Sequence, residues 1–314
     1  MTVSVCIIAY NHGAFIAQAI ESVLMQETSF NVEIIIGEDC SKDNTRQICK
    51  AYQEKYPDKI HLQLPEQNVG MMRNVINVIQ AAKGEYIALL EGDDYWTDKT
   101  KLEKQVNVLN KHPEVTLVFH KGDTLVTQTN TLIPAPDYSK QFYSFEVFAS
   151  QGCIMKTMSV MFRNLPKVHE YLGQPWVLKL DGADHLLYLL LTMNGEYAYC
   201  INECMGVYRK HPGGVWTSAS LVQKYQNGLN NLELYRRHLP LSFRQRAYLN
   251  WLLKLYLVEY TISKLHRYPS AIRRAVAAFF NYVVFFPGPG YISSFTAMWW
   301  YKLIRKWKTS NNAK

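Results

Sequence analysis

The 314-residue sequence predicts an α/β protein, a doubly wound and mostly parallel sheet with helices on both faces, followed by a helical C-terminal extension. Two observations carry this. Short, near-continuous apolar runs alternate with amphipathic segments from Val3 to Leu90, the pattern of parallel strands covered on both sides. Beyond about residue 218 the sequence is mostly helical and strongly basic.

The elements follow in order. "VSVCIIAY" is a β-rich run closed by Asn11, His12 and Gly13. Phe15, Ala19, Ile20, Val23 and Leu24 then recur at helical spacing. "VEIIIG" is a second strand, and Asp43 to Lys55 a helix that Pro57 ends. "HLQL" is a third strand, Met71 to Ala82 a helix, and "EYIALL" a fourth strand. "TQTNTLIPAPDYS" reads as loop. "GCIMKTMSVMFRN" reads as a buried strand, "ADHLLYLLLTMNG" as a buried helix ended by Gly195, and "CMGVYRKHPGG" as a strand entering a glycine-rich loop. Two long helical segments follow Ser220. The expected division is a domain over 1–218, with halves at about 1–125 and 126–218, and an extension over 219–314.

Hydrophobic content of 48% and charged content of 19% fit a folded globular chain and exclude a disordered one. The opening "MTVSVCIIAYN" has neither a basic n-region nor a small-residue cleavage site, so a cytoplasmic location is expected, with the six cysteines reduced. Cys200 and Cys204 form a CxxxC with no second pair at zinc spacing and are assigned to the core. Charge is unevenly spread. From Leu241 onward there are twelve Lys or Arg against one acid, Glu259, a net +11 in a chain of net +8. Phe279, Phe280, Phe285, Phe286, Trp299, Trp300 and Trp307 interleave with these cations. Pro287 to Gly290 break the apolar runs below the roughly twenty residues of a spanning helix, so the tail reads as a surface anchor for an anionic membrane. Tryptophans among lysines also suit stacking on nucleic acid, a reading given second place, and no nucleic-acid partner is expected.

The stretch "YIALLEGDDYWTD" poses the main chemical question. An apolar strand runs into Glu91, Asp93 and Asp94, whose like charges repel. Strand ends are where ligands bind in such sheets. Two further ends are polar, Tyr10-Asn11 and Glu38-Asp39.

"VSVCIIAYNHGAFIAQAIESVLMQ", "EIIIGEDCSKDNT", "NVGMMRN", "GEYIALLEGDDYW" and "VYRKHPGG" resemble, in order and spacing, the landmarks of glycosyltransferase family 2 over about residues 2–216. The resemblance implies a GT-A fold and an inverting transfer of a sugar from a UDP-sugar donor to a glycan acceptor with Mg²⁺ or Mn²⁺. It places Asp39 on the uracil N3–H, a turn or cap role being its alternative. Ala9, Tyr10 and Asn11 would line the base pocket, and Glu38 is either a ribose contact or solvated. Asn68 and Arg73 match the loop that touches nucleotide or phosphate, with a plain surface arginine the rival for Arg73. Glu91-Gly92-Asp93 stands where the family carries DxD. Asp93 is then the metal ligand and Glu91 reaches ribose or a metal-bound water, while Asp94 holds the donor sugar or braces the loop. His211 matches the family's histidine at metal or diphosphate. Asp184 matches the general base, with Asp181 its competitor, and His185 departs from the family's usual Gly-Asp-Trp. The basic tail points to a lipid-linked acceptor in surface polysaccharide synthesis, with the enzyme at the inner face of the cytoplasmic membrane. A non-catalytic nucleotide-sugar-binding protein is the alternative, against which the full set of acids argues.

Overall fold

The computed structural model describes residues 1–264, so Phe279, Phe280, Phe285, Phe286, Trp299, Trp300 and Trp307, with the basic residues after Lys264, lie outside the described residues. In chain order the elements are β1 (Thr2–Ala9), α1 (Ile16–Leu24), β2 (Asn31–Glu38), α2 (Thr45–Lys55), β3 (Ile60–Gln63), α3 (Met71–Ala81) and β4 (Tyr86–Glu91). Next come β5 (Tyr95–Trp96), α4 (Lys101–Lys111), β6 (Val115–Val126), β7 (Thr131–Ile133), β8 (Phe142–Tyr143) and α5 (Phe145–Gln151). The described part closes with β9 (Met161–Arg163), α6 (Pro166–Leu172), α7 (Asp184–Thr192), β10 (Tyr197–Lys210), α8 (Val215–Ser218), α9 (Leu221–His238) and α10 (Phe243–Lys264).

One sheet runs in the order β3-β2-β1-β4-β9-β6-β10-β5, with β7 on β6 and β8 on β10. β3, β2, β1 and β4 are mutually parallel, as are β6 and β10, while β9 enters antiparallel between β4 and β6. Alternation sorts the strands onto two layers. Val3, Val5, Ile7 and Ala9 share a core with Ile16, Ala19, Ile20 and Val23 of α1 and with Leu102, Val106 and Leu109 of α4. α3 covers β1 and β2, with the Cys6 thiol donating to the Val78 carbonyl at 3.3 Å. Its approach is close: a Cβ at Gly37 would stand 2.1 Å from Asn74 Oδ1, and Asn74 Nδ2 donates to the Gly37 carbonyl at 2.8 Å. Only glycine fits there. Three parallel strands therefore end together, at Ala9, Glu38 and Glu91.

The second half departs from expectation in four places. "TLI" is a strand rather than loop, because Asn130 takes φ 49° and turns the chain back so that Thr131 pairs with Val126. The expected long strand over "GCIMKTMSVMFRN" shrinks to β9, since Thr157–Ser159 wind into a 3₁₀ turn before it. Cys204 is exposed rather than core, at a register shift of β10 against β6, while Cys200 is buried. The compact unit extends from Met1 to Leu253, past the division expected near residue 218. The reason is burial on α9, where Leu232 and Tyr235 are enclosed and Asn231 Oδ1 accepts the Asp181 N–H at 3.1 Å.

One core group is costly. Lys101 is wholly buried with Nζ unpartnered, 3.6 Å from the centre of the Trp96 ring, and burial pushes its amine well below the usual lysine range. A depressed amine means that the folded chain holds fewer protons than the unfolded one, so this residue penalises stability below the ordinary lysine pKa. Lys101→Met keeps the volume and should stabilise the protein by about 1–3 kcal/mol at neutral pH. Urea denaturation checks this; the gain should shrink as pH approaches the lysine range, and a loss of stability would show that the ring contact outweighs burial.

Candidate functional site

At the end of β4 the three acids are handled separately. Asp94 is wholly buried, its Oδ1 accepting the Arg209 backbone N–H at 2.7 Å while Oδ2 has no partner. Burial, then the neighbouring Glu91 and Asp93, hold its carboxyl well above the usual range. Glu91 also has a shielded oxygen, Oε2, without a partner, and burial with the Asp93 charge pushes it up to about 8. Asp93 goes the other way. Burial raises it, but a hydrogen bond with His211 and the nearness of His12 outweigh that and leave it below the ordinary carboxylate value. The cluster's negative charge therefore concentrates on Asp93.

Partners from distant segments fix that charge. His211 Nε2 lies 3.0 Å from Asp93 Oδ2, and His12 Nε2 lies 3.8 Å from the same oxygen. The His211 ring also packs on Phe15, with centroids 4.9 Å apart. Arg209 donates from Nη1 to the Asp93 carbonyl at 2.6 Å and from Nη2 to Gln18, and its guanidinium lies over Tyr95 at 4.3 Å. β5, directly after the acids, pairs with β10 through Gly206–Trp96 and Val207–Tyr95. Gly92 has no room for a side chain, since a Cβ there would stand 2.9 Å from His12 Nδ1.

At the ends of β1 and β2 the predicted nucleotide residues are brought together. Asp39, 2% exposed, accepts from the N–H groups of Val69 at 2.7 Å and Gly70 at 3.0 Å, one on each carboxylate oxygen. Asn68 Nδ2 donates to the Asp39 carbonyl at 2.9 Å, and the Asp39 N–H donates to Ala9. Gly70, at φ 84°, makes the turn into α3. Asn11, at φ 55°, donates to Ser41 Oγ and accepts from the Lys42 N–H. Tyr10 is exposed, and Arg73 is exposed on the first turn of α3. Glu38 requires correction. It is wholly buried rather than solvated, its carboxylate accepting the Ser41 N–H and ion-paired with Arg46.

Asp184 opens α7, with Oδ1 accepting the His185 N–H at 2.9 Å, and its charge reaches Glu91. His185 turns away into the protein, its Nε2 2.9 Å from the Phe148 carbonyl. Asp181 stands before α7, its N–H bound by Asn231. Sequence reasoning missed His12 and Arg209. Both lie inside quoted motifs, "YNHG" and "YRKH", but only the fold shows that they meet Asp93.

Among the described residues, no three His, Cys, Asp or Glu side chains already close around a metal ion. The donor types nevertheless fit a divalent cation: an ionised carboxylate and an imidazole in reach of each other, with unpartnered oxygens on Glu91 and Asp94 nearby.

The raised Glu91 carboxyl has a consequence for stability. Between the ordinary glutamate value and about pH 8 the folded chain keeps a proton that the unfolded chain loses, so stability falls as pH rises through that window. Glu91→Gln removes the titration. In metal-free buffer its melting temperature should fall less than that of the natural chain across the window and be the higher of the two above it; parallel curves would mean that Glu91 is already charged.

Comparison with known proteins agrees with this geometry. The Glycosyl transferase family 2 model matches residues 4–166. An uncharacterized protein of Mycobacterium tuberculosis is 36% identical over 217 residues, which are 69% of this chain and 61% of that protein. The chain thus spans about three fifths of the length of the mycobacterial relatives it matches. The putative teichuronic acid biosynthesis glycosyltransferase TuaG of Bacillus subtilis is 32% identical, with 66% of this chain and 78% of that protein covered. Among solved structures, S. aureus TarS 1-349 in complex with UDP-GlcNAc superposes with TM-score 0.63 at 17% identity, over 90% of this chain and 80% of that one. Mannosyltransferase PcManGT from Pyrobaculum calidifontis, in complex with GDP-Man and Mn²⁺, gives 0.58 at 16%, over 91% and 81%. The structural likeness shows the α/β GT-A fold, and on the sequence match the chain belongs to glycosyl transferase family 2.

Proposed function

We propose that the protein is a metal-dependent, inverting glycosyltransferase that moves a sugar from a UDP-sugar to a glycan acceptor in surface polysaccharide synthesis. The observation that carries this reading is the meeting, at the end of β4, of an ionised carboxylate, Asp93, with His211 3.0 Å from it, while Asp184 lies within electrostatic reach of the neighbouring Glu91. Relatives support it: TuaG is named for teichuronic acid biosynthesis, TarS binds UDP-GlcNAc, and the mannosyltransferase complex contains Mn²⁺.

Each part of the site has a task. Asp39 uses one acceptor position on each oxygen for the Val69 and Gly70 N–H groups, and a carboxylate has about four, so about two remain, enough for the uracil N3–H. Tyr10 offers an exposed ring beside it, Ala9 and Asn11 complete the wall, and Asn68 and Arg73 flank the phosphates. Asp93 and His211 would hold the Mg²⁺ or Mn²⁺, which supplies charge neutralisation for the leaving diphosphate when bound. Glu91 faces the ribose or a water near that ion, and Asp94, enclosed beneath Arg209, braces the loop. Asp184, at the open start of α7, takes the proton of the acceptor hydroxyl as that oxygen attacks the sugar carbon opposite the diphosphate.

Two variants separate donor binding from transfer. Asp93→Ala should abolish the metal-dependent part of UDP affinity in calorimetry with Mn²⁺. Asp184→Asn should keep that affinity and lose transfer by about 10²- to 10⁴-fold, the usual contribution of a general base. Unchanged metal-dependent binding in the first variant removes Asp93 from the site, and a crippling Asp181→Asn beside a mild Asp184→Asn moves the base to Asp181.

The acceptor is proposed to be lipid-linked, reached from an anionic membrane surface by the +11 segment after residue 240. Each basic residue near such a surface contributes about 1 kcal/mol. Among the described residues no helix is long and apolar enough to cross a membrane. Ending the chain after Leu265 should release the protein from anionic liposomes in sedimentation while leaving UDP affinity intact; continued pelleting would place membrane binding elsewhere.

A further inference from the structure

Arg46 has no task in the reading above, yet it is tied to both segments that hold Asp39. It lies on the first turn of α2, and its Nε is ion-paired with Oε2 of Glu38, which is wholly buried. From Nη2 it donates to the Glu38 carbonyl at 3.4 Å and to the Pro65 carbonyl at 2.9 Å. One guanidinium thus bridges the end of β2 and the start of the loop that leads into α3.

Asp39 sits between these two anchors. Glu38 Oε1 accepts the Ser41 N–H at 2.6 Å, and the Glu38 carbonyl accepts the Cys40 N–H at 3.1 Å. Side chain and backbone of one residue therefore close a turn that has Asp39 and Cys40 at its tip. Cys40 takes φ 57°, a left-handed conformation that a residue other than glycine holds where its surroundings impose it. At the second anchor, the loop after Pro65 returns to Asp39. Asn68 donates to its carbonyl at 2.9 Å, and the Val69 and Gly70 N–H groups donate to its two carboxylate oxygens at 2.7 and 3.0 Å. Both segments that fix the Asp39 carboxylate are fastened at Arg46.

Stability alone does not account for such a pair. Desolvating a carboxylate and a guanidinium offsets much of their attraction, and apolar residues of similar volume often serve as well. What the pair adds is direction, because a planar fork of donors fixes a carboxylate and two carbonyls at once.

We infer that Glu38 and Arg46 are positioning residues for base recognition: together they aim the Asp39 carboxylate at the edge of the base, and so set the preference for uracil, which has an N3–H to donate, over cytosine, whose N3 is an acceptor. The inference rests on the proposed reading of the site, in which Asp39 meets the uracil N3–H.

The test is calorimetry on the full chain with Mn²⁺, using UDP and CDP as probes. The natural chain should bind UDP more tightly than CDP by about tenfold or more. Glu38→Gln/Arg46→Met keeps an acceptor for the Ser41 N–H and leaves no unpaired buried charge, so it should denature close to the natural urea midpoint. Its UDP affinity should fall about tenfold, the scale of one misdirected hydrogen bond to a charged group, while its CDP affinity stays within about twofold. Arg46→Lys keeps a charge beside Glu38 without the fork and should lose UDP affinity in the same direction by about threefold; it decides the question if the double variant does not fold. Unchanged UDP affinity, or equal losses for UDP and CDP, overturns the inference. A natural chain that does not prefer UDP to CDP is a different failure: the reading of Asp39 as the base acceptor then falls, and the inference with it.

Discussion

Three carboxylates at the end of one strand cannot all be charged, and much of the structure follows from how that conflict is resolved. Repulsion in a shielded site is far stronger than in water, so the cluster has to lose charge or gain hydrogen-bonding partners for it. It does both. Glu91 and Asp94 are pushed toward the neutral form, while Asp93 keeps its charge because His211 and His12 face it. Neutralisation and pairing are divided among adjacent residues by small differences in what each side chain touches.

The partners that settle the conflict come from far along the chain. Arg209 and His211 lie more than a hundred residues after Asp93, at and just past the end of β10. β10 pairs with β6 from Tyr197 to Lys210 and, at Gly206 and Val207, also with β5, the two-residue strand that follows the acids. The parallel half of the sheet carries the strand ends, and the later half returns to cap them. Removing β10 from its place would leave Asp94 without its backbone donor and Asp93 without its histidine.

The sequence is most legible where physics is local. β1 to β4 and the three intervening helices are readable because alternation and apolar continuity are set by burial on two faces, which acts along a segment. α7 and Gly195 are readable for the same reason, and the glycine adopts φ 95°. The β6–β7 hairpin is not, because its turn depends on Asn130 accepting a left-handed conformation that asparagine allows but does not demand. Glu38 shows the same limit at the site. A carboxylate at a strand end looks available for ligand, and only the tertiary placement of Arg46, eight residues on, shows that it is already used. Likewise His12 is one polar residue in a turn until the fold brings it to within 3.8 Å of Asp93.

The two halves of the site are built to different standards of rigidity. On the side proposed for the donor, Asp39, Asn11 and Asp94 are held by backbone N–H groups on strand ends and the turns after them, so their geometry is fixed by the sheet. On the side proposed for the acceptor, Asp184 sits at the first turn of a helix, reached from β9 through the seven-residue α6 and a short 3₁₀ turn over Pro175–Lys179. Short elements and loops tolerate sequence change that a central strand does not. The proposed reaction calls for this division, since a nucleotide diphosphate presents the same charges whichever hydroxyl receives the sugar. On that view, changes of acceptor would be sought around Thr157 and His185, where the chain can vary without disturbing the charge balance at the end of β4.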